Sequence, residues 1–200
     1  MLMEAESAET RKQKRTLLIV FALNLLLFVS LGAAGLMADS SALIANSVDN
    51  LSDTIVYAIS WIAVGKAGKL KRGAARFSGV MLMIFAAGVL IDAARRPFFG
   101  PEPIGPTMIV MATFAAVINL ICLWLLKPLK TDDVNLRAAQ TFSVNDFFSN
   151  GGIVVAGALV WWTGSWIPDV IVGLVVAVVA VYGGFEILRD ANREGEKPDA

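Results

Sequence analysis

Residues 16–38 contain no charged side chain, and residues 107–126 repeat the pattern. A helical run of about 20 apolar residues is the length that crosses the ~30 Å hydrocarbon layer of a bilayer. Such a run constrains the fold more than any short motif, because within lipid the backbone must satisfy its own hydrogen bonds. Composition agrees: 56% of the 200 residues are hydrophobic and 17% charged, against about 45–50% and 25% for soluble domains.

Four further stretches extend the pattern to six spans, near 16–38, 41–64, 77–94, 107–126, 134–162 and 169–188. Basic residues fix the expected orientation. Arg11, Lys12, Lys14 and Arg15 precede the first span, and Lys66, Lys69, Lys71, Arg72 and Arg76 follow the second. By the positive-inside rule both clusters face the cytoplasm. Continuing the count, Arg95 and Arg96 are the two of the 17 Lys and Arg residues left on the outer side, where Asp92 is spaced to pair with them. The sequence therefore predicts an all-α membrane protein with six transmembrane helices and cytoplasmic N and C termini. Residues 1–15 are expected to be a disordered tail, 16–190 the helical domain and 191–200 a short cytoplasmic tail.

Turn chemistry supports these divisions. Asp39 and Ser40 separate the first two spans, Pro101, Pro103 and Pro106 separate the third and fourth, and Asp132 and Asp133 stand where they would cap the fifth. Trp161, Trp162 and Trp166 are placed for an interfacial belt at the outer surface.

Several function classes are excluded early. Net charge is zero with no basic patch, so nucleic acid is not an expected partner. The single cysteine, Cys122, permits no disulfide within the chain. There is no histidine, so proton transfer near neutrality would fall to carboxylates. With no Gly-rich nucleotide loop either, the chain is not expected to be an enzyme or to carry a cofactor.

The polar groups inside the spans point elsewhere. On a helix, Asp49 and Asp53 lie one turn apart, and Asn46 and Asn50 share that flank. Two carboxylates and two amide oxygens then face one small volume, an arrangement suited to a hard divalent cation. Carboxylates within a membrane cost several kcal/mol when isolated, so they ordinarily line an ion or proton path. The fifth span repeats the pattern with Asp146, Ser149 and Asn150. Asn46, Asn50 and Asn150 have an equally good structural reading as hydrogen bonds between helices. Asn24 fits a helix interface or a cavity wall, and Asn119 and Glu186 an access path.

The run Ser41-Ala42-Leu43-Ile44-Ala45-Asn46-Ser47-Val48-Asp49-Asn50-Leu51-Ser52-Asp53 resembles the second-helix motif of the cation diffusion facilitator family. Ala75-Arg76-Phe77 is similar to the basic start of that family's third helix, and Asp146-x-x-Ser149-Asn150-Gly151-Gly152-Ile153 to its fifth-helix motif. Trp166-x-x-Asp169 is similar to the start of its sixth. The resemblance covers about residues 12–191. It implies a metal site at Asp49, Asp53, Asp146 and the position of Phe142, whose phenyl ring cannot ligate. Water, or oxygen from Asn46, Ser143, Asn145 or Asn150, would then fill the fourth place.

With Asp in place of His at the first position, the resemblance favours Mn2+ or Fe2+ as the transported ion over Zn2+, Co2+ or Cd2+. Oxygen ligands favour the same choice. The resemblance further implies a homodimer, here through transmembrane helices because the family's usual carboxyl-terminal domain is missing, and residence in a bacterial inner membrane. Since clustered acids repel when ionised, cation binding is expected to displace protons, giving metal/proton antiport out of the cytoplasm. The alternatives are a non-transporting or regulatory membrane protein that keeps the fold, and a zinc, cobalt or cadmium carrier with an altered site.

Overall fold

The computed structural model describes residues 2–63, 68–99, 102–128 and 134–193. It contains six helices: α1 (Leu2–Met37), α2 (Ser41–Ala63), α3 (Gly68–Phe99), α4 (Gly105–Leu126), α5 (Val134–Thr163) and α6 (Ile167–Arg193). The expected number of helices is present, with several ends moved. α1 starts at Leu2, where a disordered tail was expected. Glu4, Glu6 and Glu9 precede Arg11, Lys12, Lys14 and Arg15 along it, an order of charge that suits the helix dipole.

α3 begins within the expected basic loop and runs past Arg96, so most of that loop is helical; residues 64–67 lie outside the described residues. Within it, Arg95 Nε pairs with Asp92 Oδ1 at 2.8 Å, as the spacing predicts. Pro106 occupies the first turn of α4, where a missing N–H costs nothing.

α2 is the centre of the bundle and packs against all five other helices. The reason lies in its side chains. Ala42, Ala45, Ser47 and Val48 are small and buried, so neighbours approach closely on several sides. One buried cluster joins Leu27 and Leu31 of α1, Ala42 and Leu43 of α2, Met108, Ala112 and Ala115 of α4, and Ile153, Ala156 and Val160 of α5. Another joins Ala45 and Val48 of α2 to Ala86 and Val89 of α3 and Val176, Ala177 and Ala180 of α6. A third, at the other end, holds Tyr57 of α2 against Leu17 and Val20 of α1 and Cys122 and Leu126 of α4.

Glycine sets the tightest crossings. A Cβ on Gly157 would come within 2.9 Å of Met108 Cβ, and one on Gly173 within 2.8 Å of the Ser41 carbonyl carbon. At Gly173, and at Gly157 where the Gly105 carbonyl oxygen would lie 3.0 Å from such a Cβ, main chain of one helix meets main chain of the next, which no larger residue permits.

Large apolar side chains cover the outside. Val29, Trp124, Phe148 and Val178 are exposed, and Trp161 and Trp162 stand exposed at the end of α5, where an interfacial belt was expected. By length and composition α1, α4 and α6 each contain a segment able to cross a membrane. α2 and α5 interrupt their apolar runs with the buried carboxyl groups of Asp53 and Asp146.

The chain reverses between α1 and α2 through Asp39, whose φ of 48° lies in the left-handed region that Asp tolerates better than most residues. Ser40 then caps α2: its Oγ accepts from the Leu43 amide at 3.1 Å. The α3–α4 connection is tied to the same turn by the Ile104 amide, which donates to the Ala38 carbonyl at 3.0 Å.

Candidate metal centre

Asp49 and Asp53 lie one turn apart on α2, and Asp146 faces them from α5. Asp53 and Asp146 are buried; Asp49 is half-buried. The Asp146 carboxyl is within hydrogen-bonding reach of both Asp49 and Asp53. Carboxyl groups this near one another repel when ionised, and a proton or a cation between them relieves that repulsion. Tyr57, one further turn along α2, directs its hydroxyl to Asp53. The pairwise contacts are close, yet among the described residues no three His, Cys, Asp or Glu side chains converge as a ready ion cage. A cation here would need oxygen from elsewhere.

The asparagines divide into two roles. Asn46 Nδ2 donates to Asn150 Oδ1 at 2.7 Å and thereby clasps α2 to α5. Asn150 Nδ2 donates to the Asp146 carbonyl at 2.7 Å, and Asn50 Nδ2 to the Asn46 carbonyl at 2.8 Å. The Asn150 oxygen is thus engaged, whereas Asn46 Oδ1 and Asn50 Oδ1 are buried without a partner. Asp53 Oδ2 and Asp146 Oδ2 are in the same condition. Four unpartnered buried oxygens from two helices are a donor set suited to a hard or borderline divalent ion. The side chains of Phe142, Ser143 and Asn145 lie outside the described residues.

Two further residues make contacts that the sequence did not reveal. Tyr57 was readable only as another apolar position, although it continues the four-residue spacing of Asp49 and Asp53. Asp169, at the start of α6, is fully buried and accepts from Ser40 Oγ at 2.5 Å, the Ser41 amide at 2.7 Å and the Ala42 amide at 3.1 Å. It caps α2 from another helix. Ser41 Oγ in turn donates to Asp92 Oδ2 at 2.8 Å, so α3 joins the same network.

The family profile of the cation efflux transmembrane domain matches residues 17–194. The chain belongs to the cation efflux family. As a member it is an integral protein of the inner membrane, and transport is the general business of the group. Among its relatives, the zinc transporter ZitB of Yersinia pseudotuberculosis is 26% identical over 97% of this chain and 66% of its own length. The cadmium, cobalt and zinc/H(+)-K(+) antiporter of Bacillus subtilis is 23% identical over 89% of this chain and 62% of its own. The metal cation efflux system protein CzcD of Cupriavidus metallidurans is 26% identical over 81% and 55%. This cation efflux chain therefore spans roughly three fifths of the length of such relatives.

Proposed function

We propose that the protein carries divalent metal cations out of the cytoplasm in exchange for protons, by alternating access to a site at Asp49, Asp53 and Asp146. What supports this is the meeting of carboxyl groups from α2 and α5, with unpartnered oxygens of Asn46 and Asn50 on the same flank of α2. With the site empty, protons shared among the carboxyls hold them together. An arriving cation takes the oxygens, and the displaced protons leave to water; reprotonation from the opposite side then expels the ion. No histidine is required in this cycle.

Two considerations bear on the choice of ion and pull apart. The names of the relatives point to zinc, cadmium and cobalt. A donor set of oxygen atoms without imidazole favours manganese and iron. We take the relatives' ions as the first substrates to test and Mn2+ and Fe2+ as the competitors that the oxygen chemistry admits. The proposal further includes cytoplasmic termini and a homodimer formed through membrane helices.

The deciding experiment is flux of Mn2+, Fe2+, Co2+, Zn2+ and Cd2+ into proteoliposomes with simultaneous proton recording. The expected result is saturable flux with counter-movement of protons, lost in Asp49→Ala and Asp146→Ala. Unchanged flux in both variants would refute the assignment. Absence of flux for all five ions would favour the non-transporting reading, which the phenyl ring at Phe142 recommends.

A further inference from the structure

α4 presents a single buried stripe: Met108, Ala112, Ala115, Asn119, Cys122 and Leu126. Its first half packs on Ile153, Ala156 and Val160 of α5, and its last residues pack on Leu17, Val20 and Tyr57. Asn119 sits between these two halves. It is 1% exposed, and neither its Oδ1 nor its Nδ2 has a partner. Leaving a buried polar atom without a partner forfeits its hydration for nothing in return, and here one side chain orphans two. Such a cost calls for a ligand.

The register of α4 against α5 says where that amide lies. Met108 touches Gly157. Asn119 is eleven residues beyond Met108 on α4, and Asp146 eleven residues before Gly157 on antiparallel α5. Both are ~16 Å from the shared contact and so stand at one level. The next turn of α4 agrees: Cys122 is close enough to feel the charges of both Asp53 and Asp146. From α1, Asn24 brings its amide to the same place. Its Nδ2 donates to the Val20 carbonyl at 2.9 Å and contacts Cys122 Sγ at 3.9 Å, while its Oδ1 is buried and unpartnered.

We propose that Asn119 Oδ1 is a ligand of the divalent cation, supplied by α4 to complete the set that Phe142 leaves short, with Asn24 Oδ1 lining the same space from α1. The inference rests on the carrier reading of the acidic site and adds a third helix to it. The oxygens it adds to the three carboxyl groups are amides, which supply donors without adding repulsion.

The test is calorimetric titration of the purified full chain in detergent micelles with Zn2+ and with Mn2+, recording protons released per ion in two buffers. Asn119→Leu is expected to weaken binding about tenfold or more, equivalent to ~1.4 kcal/mol, while its thermal midpoint stays level or rises because an orphaned amide has left the core. Asn119→Asp is expected to tighten binding and to raise the protons released per ion, a readout that packing alone would not move. Binding within twofold of wild type in Asn119→Leu overturns the proposal. If that variant does not fold, an Asn119→Asp protein indistinguishable from wild type in both readouts overturns it instead. Asp146→Ala separates the two levels of the argument. Lost binding there with Asn119→Leu unaffected removes the α4 ligand alone, whereas no saturable binding by wild type removes the carrier reading as well.

Discussion

Replacing Asp169 by Asn changes one atom in a fully buried side chain, so any loss of stability reports hydrogen bonding and charge and not packing. Among the contacts of the carboxylate are bonds accepted from Ser40 Oγ at 2.5 Å and from the Ser41 and Ala42 amides at 2.7 and 3.1 Å. Hydrogen bonds to charged groups are worth about 1.5–3 kcal/mol in water-soluble proteins, and those between membrane helices average nearer ~0.6–1 kcal/mol. Taking ~1 kcal/mol for each bond, Asp169→Ala should cost about 3 kcal/mol. The Asn variant keeps one good acceptor, turns an NH2 toward a donor and should cost about 2 kcal/mol. Unfolding by SDS in mixed micelles, followed by tryptophan fluorescence, measures both. Ser40→Ala combined with Asp169→Ala should show a coupling energy of about 1 kcal/mol, because the two share a bond. Costs below ~0.5 kcal/mol for both Asp169 variants would refute the view that α6 caps α2.

Further outcomes follow from other contacts. Gly157→Leu should prevent α4 and α5 from closing and yield protein that aggregates or unfolds well below the wild-type midpoint, since a single Cβ would already meet Met108 at 2.9 Å; size-exclusion chromatography reads this directly. Asn46→Leu should lose about 1 kcal/mol of stability by breaking the clasp with Asn150, and it should weaken cation binding as well, which Asn150→Leu does only through the shared bond. Tyr57→Phe removes the hydroxyl directed at Asp53 and should change the number of protons released per cation while leaving the fold intact, as judged by calorimetry in buffers of different ionisation enthalpy. Because ion and protons compete for the same carboxyl oxygens, apparent cation affinity should rise with pH until the displaced protons are gone; an affinity flat from mildly acidic to mildly alkaline pH would count against a shared site.

The helices were legible in the sequence to unequal degrees. α1, α4 and α6 announce themselves through long uncharged runs, because burial in lipid imposes a composition that no other environment does. Asp39 and Ser40 gave the first turn for a local reason, the tolerance of Asp for the left-handed region and of Ser for the cap position. Helix ends were the weaker part: the opening of α1 and both ends of α3 carry many charges, which resemble loops by composition but cost a helix nothing outside the hydrocarbon.

At the site, spacing alone set Asp49 beside Asp53, and repetition of the motif suggested Asp146. Which asparagine oxygens stay unpartnered could not be read from spacing, since it depends on the Asn46–Asn150 bond between helices. The same holds for Asn119 and Asp169, whose surroundings are set by the register of helices distant in sequence.

The two ends of α2 are held by different kinds of contact. Around Ser41 and Ile44 its neighbours are glycines, Gly173 and Gly35, and main chain lies directly on main chain. Around Tyr57 the neighbours are Leu17, Val20, Cys122 and Leu126, whose side chains have rotamers to exchange. Stacked backbones behave as a pivot, and interleaved side chains as a clutch that slips. A swing of α2 that bares the acids to a different face should therefore turn about Ser41 and travel farthest at Tyr57.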